Sequence, residues 1–291
     1  MRLFEERGVA LFDAAMGTAL LAAGQPKGAR SEEMNVSAPE TVLGIHLENI
    51  RAGSDVVTSN TFGVTPMMLR GEEERALGIL EKAVGLAKQA ASGGGPDGRE
   101  VLTCLCVGPS GALLGALGDR SHESVAELYA AQAEAGYRAG ADFIMLETFS
   151  DHLEWGCAAR AAKAASPLPV LGTMTFGESG RTFMGSSAKD MVDIALSEGL
   201  SAAGANCTLD PEGMLPVITE ILSLAGGLPI IAQPNAGQPD MASGKAVYNT
   251  TDEAFAAGAE KLIALGVSGV GGCCGTTPMA ISLIRAIIDR R

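Results

Sequence analysis

Cys207 closes the run AAGANC (202–207), and the adjacent pair Cys273 and Cys274 lies in GVSGVGGCCG (266–275), each time at the C-terminal end of an apolar stretch of strand character. Three thiolates with no fourth protein ligand describe a zinc site with one open coordination position, an arrangement that does chemistry rather than holding a fold together. An open position admits a substrate atom. Coordination to Zn²⁺ deprotonates a thiol that would otherwise titrate near about 8.5, so a thiol arriving there becomes a sulfur nucleophile. Three thiolates also make the site electron-rich. That suits activation of a thiolate for alkyl transfer better than hydrolysis, where zinc usually carries neutral His ligands.

Neighbouring side chains on a regular strand point to opposite faces. Cys273 and Cys274 can therefore share one ion only if the backbone leaves strand geometry, and Gly271 and Gly272 are expected to permit that bend. The alternative is that one of the pair is a small buried hydrophobe, since free Cys is often interior. The other cysteines are expected to pack in the core: Cys104 and Cys106 alternate in a strand several residues short of its end, and Cys157 falls in a helical segment. His46 in a helix, His122 in a polar loop and His152 after Ser150-Asp151 are expected to take surface or capping roles.

Other polar residues fall at the ends of apolar runs, Asp13, Asn60, Glu147, Asn206 and Asn235, and with Ala14 and Ala15 they are expected to bind the substrate. Asp13 and Glu147 would hold the ammonium group of an amino-acid substrate; otherwise Asp13 caps a helix and Glu147 joins a buried pair. Backbone N–H groups of the small-residue turn at Ala14, Ala15 and onward to Thr18, leading into a helix, would take its carboxylate.

What must position these groups is a repeated β/α unit. Apolar or β-branched runs occur at 9–14, 54–60, 100–109, 141–148, 168–176, 201–207, 228–235 and 267–275, separated by segments of helical character. Three of those segments, 39–53, 123–140 and 251–266, end on Gly or carry an N-cap. Eight such units predict an α/β fold of the (β/α)8 TIM-barrel type, a single domain over 1–291, with its chemistry at the C-terminal ends of the strands. The Gly- and Pro-rich stretch 91–100 reads as a surface connection.

Composition narrows the function classes. With 47% hydrophobic residues the 291-residue chain can bury a large core, and a formal charge of −13 excludes the clustered Lys and Arg of a nucleic-acid binder. No stretch reaches the roughly 18 apolar residues of a membrane span, and the N-terminus lacks the layout of a signal peptide. A cytoplasmic protein with reduced cysteines is expected.

Taken in order, FDAAMGT, EEMN, SDVVTSNTFG, GPSG, ETFSD, MTF, GANC, PNAG and GGCCGTTP resemble the homocysteine S-methyltransferase family over essentially the whole chain, most of all the homocysteine-binding barrel of cobalamin-dependent methionine synthase. The resemblance implies a zinc enzyme that methylates homocysteine to methionine. Cys207, Cys273 and Cys274 would be the zinc ligands, Glu147 and Asp13 would contact the substrate amino group, and the loop from Ala14 would receive its carboxylate. Ala14 departs from the family, which commonly has Gly there. The sequence ends just past the final barrel helix, so folate, cobalamin and reactivation domains are expected to be absent, a fragment of a longer polypeptide being the alternative. The methyl donor is therefore expected in trans, a methylated corrinoid (cobalamin) on a separate protein being favoured over S-methylmethionine, S-adenosylmethionine or betaine. Another small thiol as substrate, or a non-catalytic zinc-binding partner subunit, are the competing readings.

Overall fold

Short apolar runs between Gly- and Asp-rich turns become the strands of a computed structural model that describes all residues except 1, 27, 113, 115–120 and 241–246. The strands are β1 (Ala10–Leu11), β2 (Val56–Thr58), β3 (Leu102–Val107), β4 (Phe143–Phe149), β5 (Val170–Met174), β6 (Ala202–Asn206), β7 (Ile230–Gln233), β8 (Pro239–Asp240), β9 (Val247–Tyr248) and β10 (Gly269–Val270). Eight of them form one parallel sheet in the order β1-β10-β7-β6-β5-β4-β3-β2, while β8 and β9 pair separately as an antiparallel hairpin after β7. The eight-stranded barrel is as anticipated; the hairpin is not, because two-residue strands leave no alternation to read.

The helices are α1 (Arg2–Arg7), α2 (Met16–Ala22), α3 (Met34–Ser37), α4 (Pro39–Ala52), α5 (Pro66–Ala91), α6 (Ala126–Arg138), α7 (His152–Ala165), α8 (Ala188–Ser197), α9 (Pro211–Leu224), α10 (Asp252–Leu265) and α11 (Pro278–Ile288). Side-chain caps start many of them: Asp151, Ser187, Asp210, Thr251 and Thr277 each accept a backbone N–H from the first turn of α7 to α11. α4 and α10 stop at left-handed glycines, Gly53 and Gly266. None of the described helices is long and apolar enough to cross a membrane.

Carboxylates complete the barrel at the seam between β1 and β2. Asp55 N–H donates to the Leu11 carbonyl at 2.7 Å, and the Leu11 N–H is taken by the Asp55 carboxylate at 2.9 Å. Asp55 is fully buried, which a bare charge would not tolerate. Arg285 of α11 lies 3.2 Å from it and Arg99 3.9 Å, so the charge is paired on the helix side.

Inside the barrel, Phe12, Val56, Cys104, Phe143, Met145, Leu171, Ala202 and Ile231 form an apolar floor, closed from below by Leu3 and Phe4 of α1. Phe12 and Phe143 meet edge to face with centroids 6.4 Å apart. A larger cluster of Val, Ile, Leu and Ala joins the strands to the outer helices. The polar groups therefore sit on a rigid floor at the C-terminal strand ends.

His46 departs from its expected surface role. It is fully buried on α4, neither ring nitrogen meets a hydrogen-bond partner among the described residues, and burial lowers its pKa to about 4. It stays neutral because desolvation penalises the cation.

Candidate active site

The sulfurs of Cys207, Cys273 and Cys274 all lie within 4.8 Å of one another, with Cys207 and Cys274 4.0 Å apart. β6 and β10 flank β7 in the sheet, so the two cysteine loops face each other across the end of one strand. The chain leaving β7 stitches them together. Gln233 C=O accepts from Cys207 N–H, Pro234 C=O from Cys273 N–H, Asn235 N–H donates to Leu209 C=O, and Ala236 N–H donates to Cys274 C=O, all between 2.8 and 3.0 Å. The bonds alternate from one loop to the other, so main-chain pairing sets the separation of the sulfurs.

β10 ends at Val270, and the paired cysteines therefore lie beyond strand geometry, as sharing one ion demands. The reason for the glycines before them differs from the expected one. Neither Gly271 nor Gly272 has positive φ. They supply space: a Cβ on Gly271 would come 2.6 Å from Phe12 Cβ, and one on Gly272 would run into the Thr276 side chain.

Strain gathers here. The non-glycine residues with positive φ among those described are Thr148, Cys207 and Thr208, at the ends of β4 and β6. Each costs on the order of 1–3 kcal/mol and persists only where its surroundings dictate it. Asn206 does much of the dictating. Its Oδ1 accepts from Thr148 N–H at 2.9 Å and Thr173 Oγ1 at 2.8 Å, while Nδ2 donates to Thr148 Oγ1 at 2.7 Å and reaches the Cys273 sulfur at 3.9 Å.

The three sulfurs shift one another's titration in opposite directions. Hydrogen bonds from Cys207 and Cys273, with a further one from Tyr248, hold Cys274 down to about 3. Cys207 is drawn down by Cys273, but its bond to Cys274 and its burial prevail and push it up to about 11; Cys273 is pushed up by both partners and by burial. Such a cluster is a ready thiolate donor set for a soft or borderline cation. The side-chain oxygen of buried Asn235 has no hydrogen-bond partner among the described residues.

Of the carboxylates, Asp13 follows β1, which pairs with β10, and Glu147 lies on β4. Asp13 is 4% exposed and accepts from Thr58 through both N–H and Oγ1, each at 2.7 Å. Burial nevertheless outweighs these bonds, and with the charge of Glu147 nearby the Asp13 carboxyl is raised to about 7. Glu147 accepts the Cys106 thiol proton at 2.8 Å; burial raises its pKa, that bond lowers it, and the charge of Cys274 raises it further.

Two expectations change. Ala14 N–H already donates to Asn49 Oδ1 at 2.9 Å and Ala15 N–H to Thr276 Oγ1 at 3.1 Å, so these amides bind the protein itself and do not offer themselves to a substrate carboxylate. Asn60 is buried, its Nδ2 held by Ser31 C=O and Asn35 Oδ1 at 2.7 and 3.3 Å; with Glu32 accepting Gly63 N–H it fastens the 31–35 segment onto the loop after β2. Its amide is a clasp rather than a free contact.

Four participants escaped the sequence reading. Cys106, expected in the core, is buried there and also touches Glu147. Thr173 and Thr148 hold Asn206, and no signal in their spacing announces it. Tyr248 comes from the unforeseen hairpin.

A family model described as homocysteine S-methyltransferase matches residues 10–288. The chain is 29% identical over 290 residues to the methionine synthase of Mycobacterium tuberculosis, covering 95% of this chain but 24% of that protein, so it spans about a quarter of that relative's length. It is 28% identical to homocysteine S-methyltransferase 2 of Arabidopsis thaliana, covering 88% of this chain and 85% of that one. Among solved structures, the metallated form of the homocysteine methyltransferase MmuM from Escherichia coli superposes with a TM-score of 0.80 at 25% identity over 98% of both chains. With the matched region taking in every strand and all three sulfurs, the chain belongs to the homocysteine S-methyltransferase family.

Proposed function

We propose that this chain methylates homocysteine to methionine, using a zinc ion held by Cys207, Cys273 and Cys274. The observation that carries the reading is the trio of sulfurs within 4.8 Å of one another at the top of an apolar barrel, with no further His, Cys, Asp or Glu completing the group among the described residues. Three thiolates and an open position fit zinc, and the titrating cluster already favours a thiolate. Zinc bound there would lower the pKa of a fourth, incoming thiol and keep it as the nucleophilic thiolate.

The chain's own groups do the rest. Glu147 and Asp13 hold the substrate ammonium, anchoring the amino-acid end at the barrel mouth. Asn206 fixes the strained turn that aims Cys207, and the apolar floor keeps water from beneath the reacting sulfur. The substrate sulfur attacks the donor methyl carbon; a C–S bond forms, and the donor–methyl bond breaks with its electron pair staying on the donor. The donor arrives from outside the barrel, and we favour a methylated corrinoid on a separate protein. The kinship to methionine synthases supports this choice.

The test is direct. Purified protein with zinc and homocysteine is incubated with a methylated corrinoid protein, S-methylmethionine, S-adenosylmethionine or betaine in turn, and methionine is measured. Methionine from one donor is expected; none from any donor overturns the reading.

A further inference from the structure

Gln233 ends β7, two residues beyond Ile231 of the barrel floor. Alternate side chains of a strand share a face, so the Gln233 side chain points into the barrel, one layer above that floor. The same alternation brings Thr58, Cys106 and Thr173 into the layer, each two residues past a floor residue of its own strand, and strand register pairs Gln233 with Asn206. Each of these neighbours commits its polar atoms to the protein: Thr58 to Asp13, Cys106 to Glu147, Thr173 to Asn206, and Asn206 to Thr148. Gln233 differs. It is 5% exposed, yet its side-chain oxygen has no hydrogen-bond partner among the described residues. Buried polar atoms are ordinarily paired, and one that is not calls for a reason. Asn235 also keeps an unpartnered oxygen, but it lies past the end of β7, where strand alternation no longer sets its direction.

An amide oxygen can only accept, so whatever meets it must donate. In homocysteine held through its sulfur, the thiolate and the carboxylate also only accept, which leaves the ammonium group as the donor. That group carries three N–H bonds, enough for Asp13, Glu147 and one acceptor more. Resting on the reading of homocysteine as substrate, we infer that Gln233 is a specificity-determining residue whose Oε1 accepts an N–H of the substrate ammonium and so selects a thiol that carries an amino group. A neutral amide suits this place: it directs a hydrogen bond at the cation without burying a third carboxylate in a site that already holds Asp13 and Glu147.

The experiment titrates zinc-loaded wild type, Gln233→Met and Gln233→Glu with homocysteine and with 4-mercaptobutanoate, the same thiol without the amino group, and follows thermal unfolding of each. Met keeps the length of the side chain and removes the acceptor; Gln233→Leu replaces it should Gln233→Met not fold. Gln233→Met should bind homocysteine weaker by roughly 10-fold or more, as the loss of a hydrogen bond to a charged group implies, and 4-mercaptobutanoate as well as wild type does. Its unfolding midpoint without ligand should be no lower than that of wild type, because the unpaired oxygen is gone. Gln233→Glu, which retains an oxygen at that place, should keep the preference for homocysteine. Unchanged homocysteine affinity in Gln233→Met, or equal loss with both thiols in the folded variant, overturns the inference; methionine formation by wild type then leaves the proposed function standing. If wild type takes up no homocysteine, both fall.

Discussion

The two halves of the barrel mouth are built by different means. On the sulfur side, formed by β6, β7 and β10, main-chain hydrogen bonds from 233–236 to both cysteine loops set the spacing, and residues with unusual backbone angles or no side chain let the loops close together. On the carboxylate side, formed by β1 to β4, side chains hold side chains: Thr58 on Asp13, Cys106 on Glu147, Asn60 against Ser31 and Asn35. The first half is stiff because its partners are backbone atoms that no substitution removes. The second depends on buried polar atoms whose protonation can change. Under the proposed function, geometry for the reacting sulfur falls to the rigid half and recognition of the substrate's charged end to the adjustable one.

Removing any of the sulfurs should break that division most completely. Cys207→Ala, Cys273→Ala and Cys274→Ala should each lose zinc and methionine formation together while keeping the fold, since the stitching bonds are main-chain. Metal analysis beside circular dichroism checks this. Methyl transfer persisting in a variant without metal would refute the role given to the sulfur half.

Loss of charge on the other half should cost less and cost it selectively. Glu147→Gln preserves shape but gives up the ionic partner of the ammonium group, and a hydrogen bond to a charged group is worth about 1.5–3 kcal/mol, or roughly 10- to 100-fold in homocysteine KM. 4-Mercaptobutanoate, which keeps the thiol and lacks the amino group, should be used equally well by variant and wild type. A uniform loss with both thiols would mean that Glu147 serves the sulfur half instead.

Asp13 gives the adjustable half a pH signature. Its carboxyl titrates near about 7 in the fold against 3.8 as the ordinary value, so between those values the folded state holds the proton that the unfolded state has released. Stability from this group is therefore lost as pH rises through that window and is level above it, at most about 1.4 kcal/mol per pH unit. Denaturant titrations at pH 5 and pH 7 should show Asp13→Asn gaining on wild type by roughly 2 kcal/mol over that interval. A constant difference between the two proteins would mean that Thr58 keeps Asp13 ionised throughout.

The same division explains what was legible beforehand. The barrel could be read because each strand is an apolar run closed by turn residues, and the cysteine trio could be read because metal-ligand chemistry restricts residue type so tightly. The stitching by 233–236 was not, since main-chain bonds leave no residue signature, nor was the hairpin that delivers Tyr248. On the carboxylate side, Asp13 and Glu147 stand out as acids at strand ends, but what Asn60, Ala14 and Ala15 do depends on partners far along the chain, Ser31, Asn49 and Thr276. Of the small-residue turn read as an anion site, the first two amides, those of Ala14 and Ala15, are taken by Asn49 and Thr276.

The smallest effect is the sharpest probe of how the carboxylate half is tuned. Cys106 is buried and gives its only available proton to Glu147, in a place where a nonpolar residue would leave the carboxylate short of a donor. A net hydrogen bond of this kind is worth about 0.5–1.5 kcal/mol, so Cys106→Ala should raise homocysteine KM by roughly 2- to 10-fold with little change in kcat, and 4-mercaptobutanoate should again show nothing. Cys106→Ser, which keeps a donor, should recover most of the loss. Equal behaviour of the Ala and Ser variants would make the thiol a packing group whose contact with Glu147 is incidental, and orientation of that carboxylate would then fall to the strand alone.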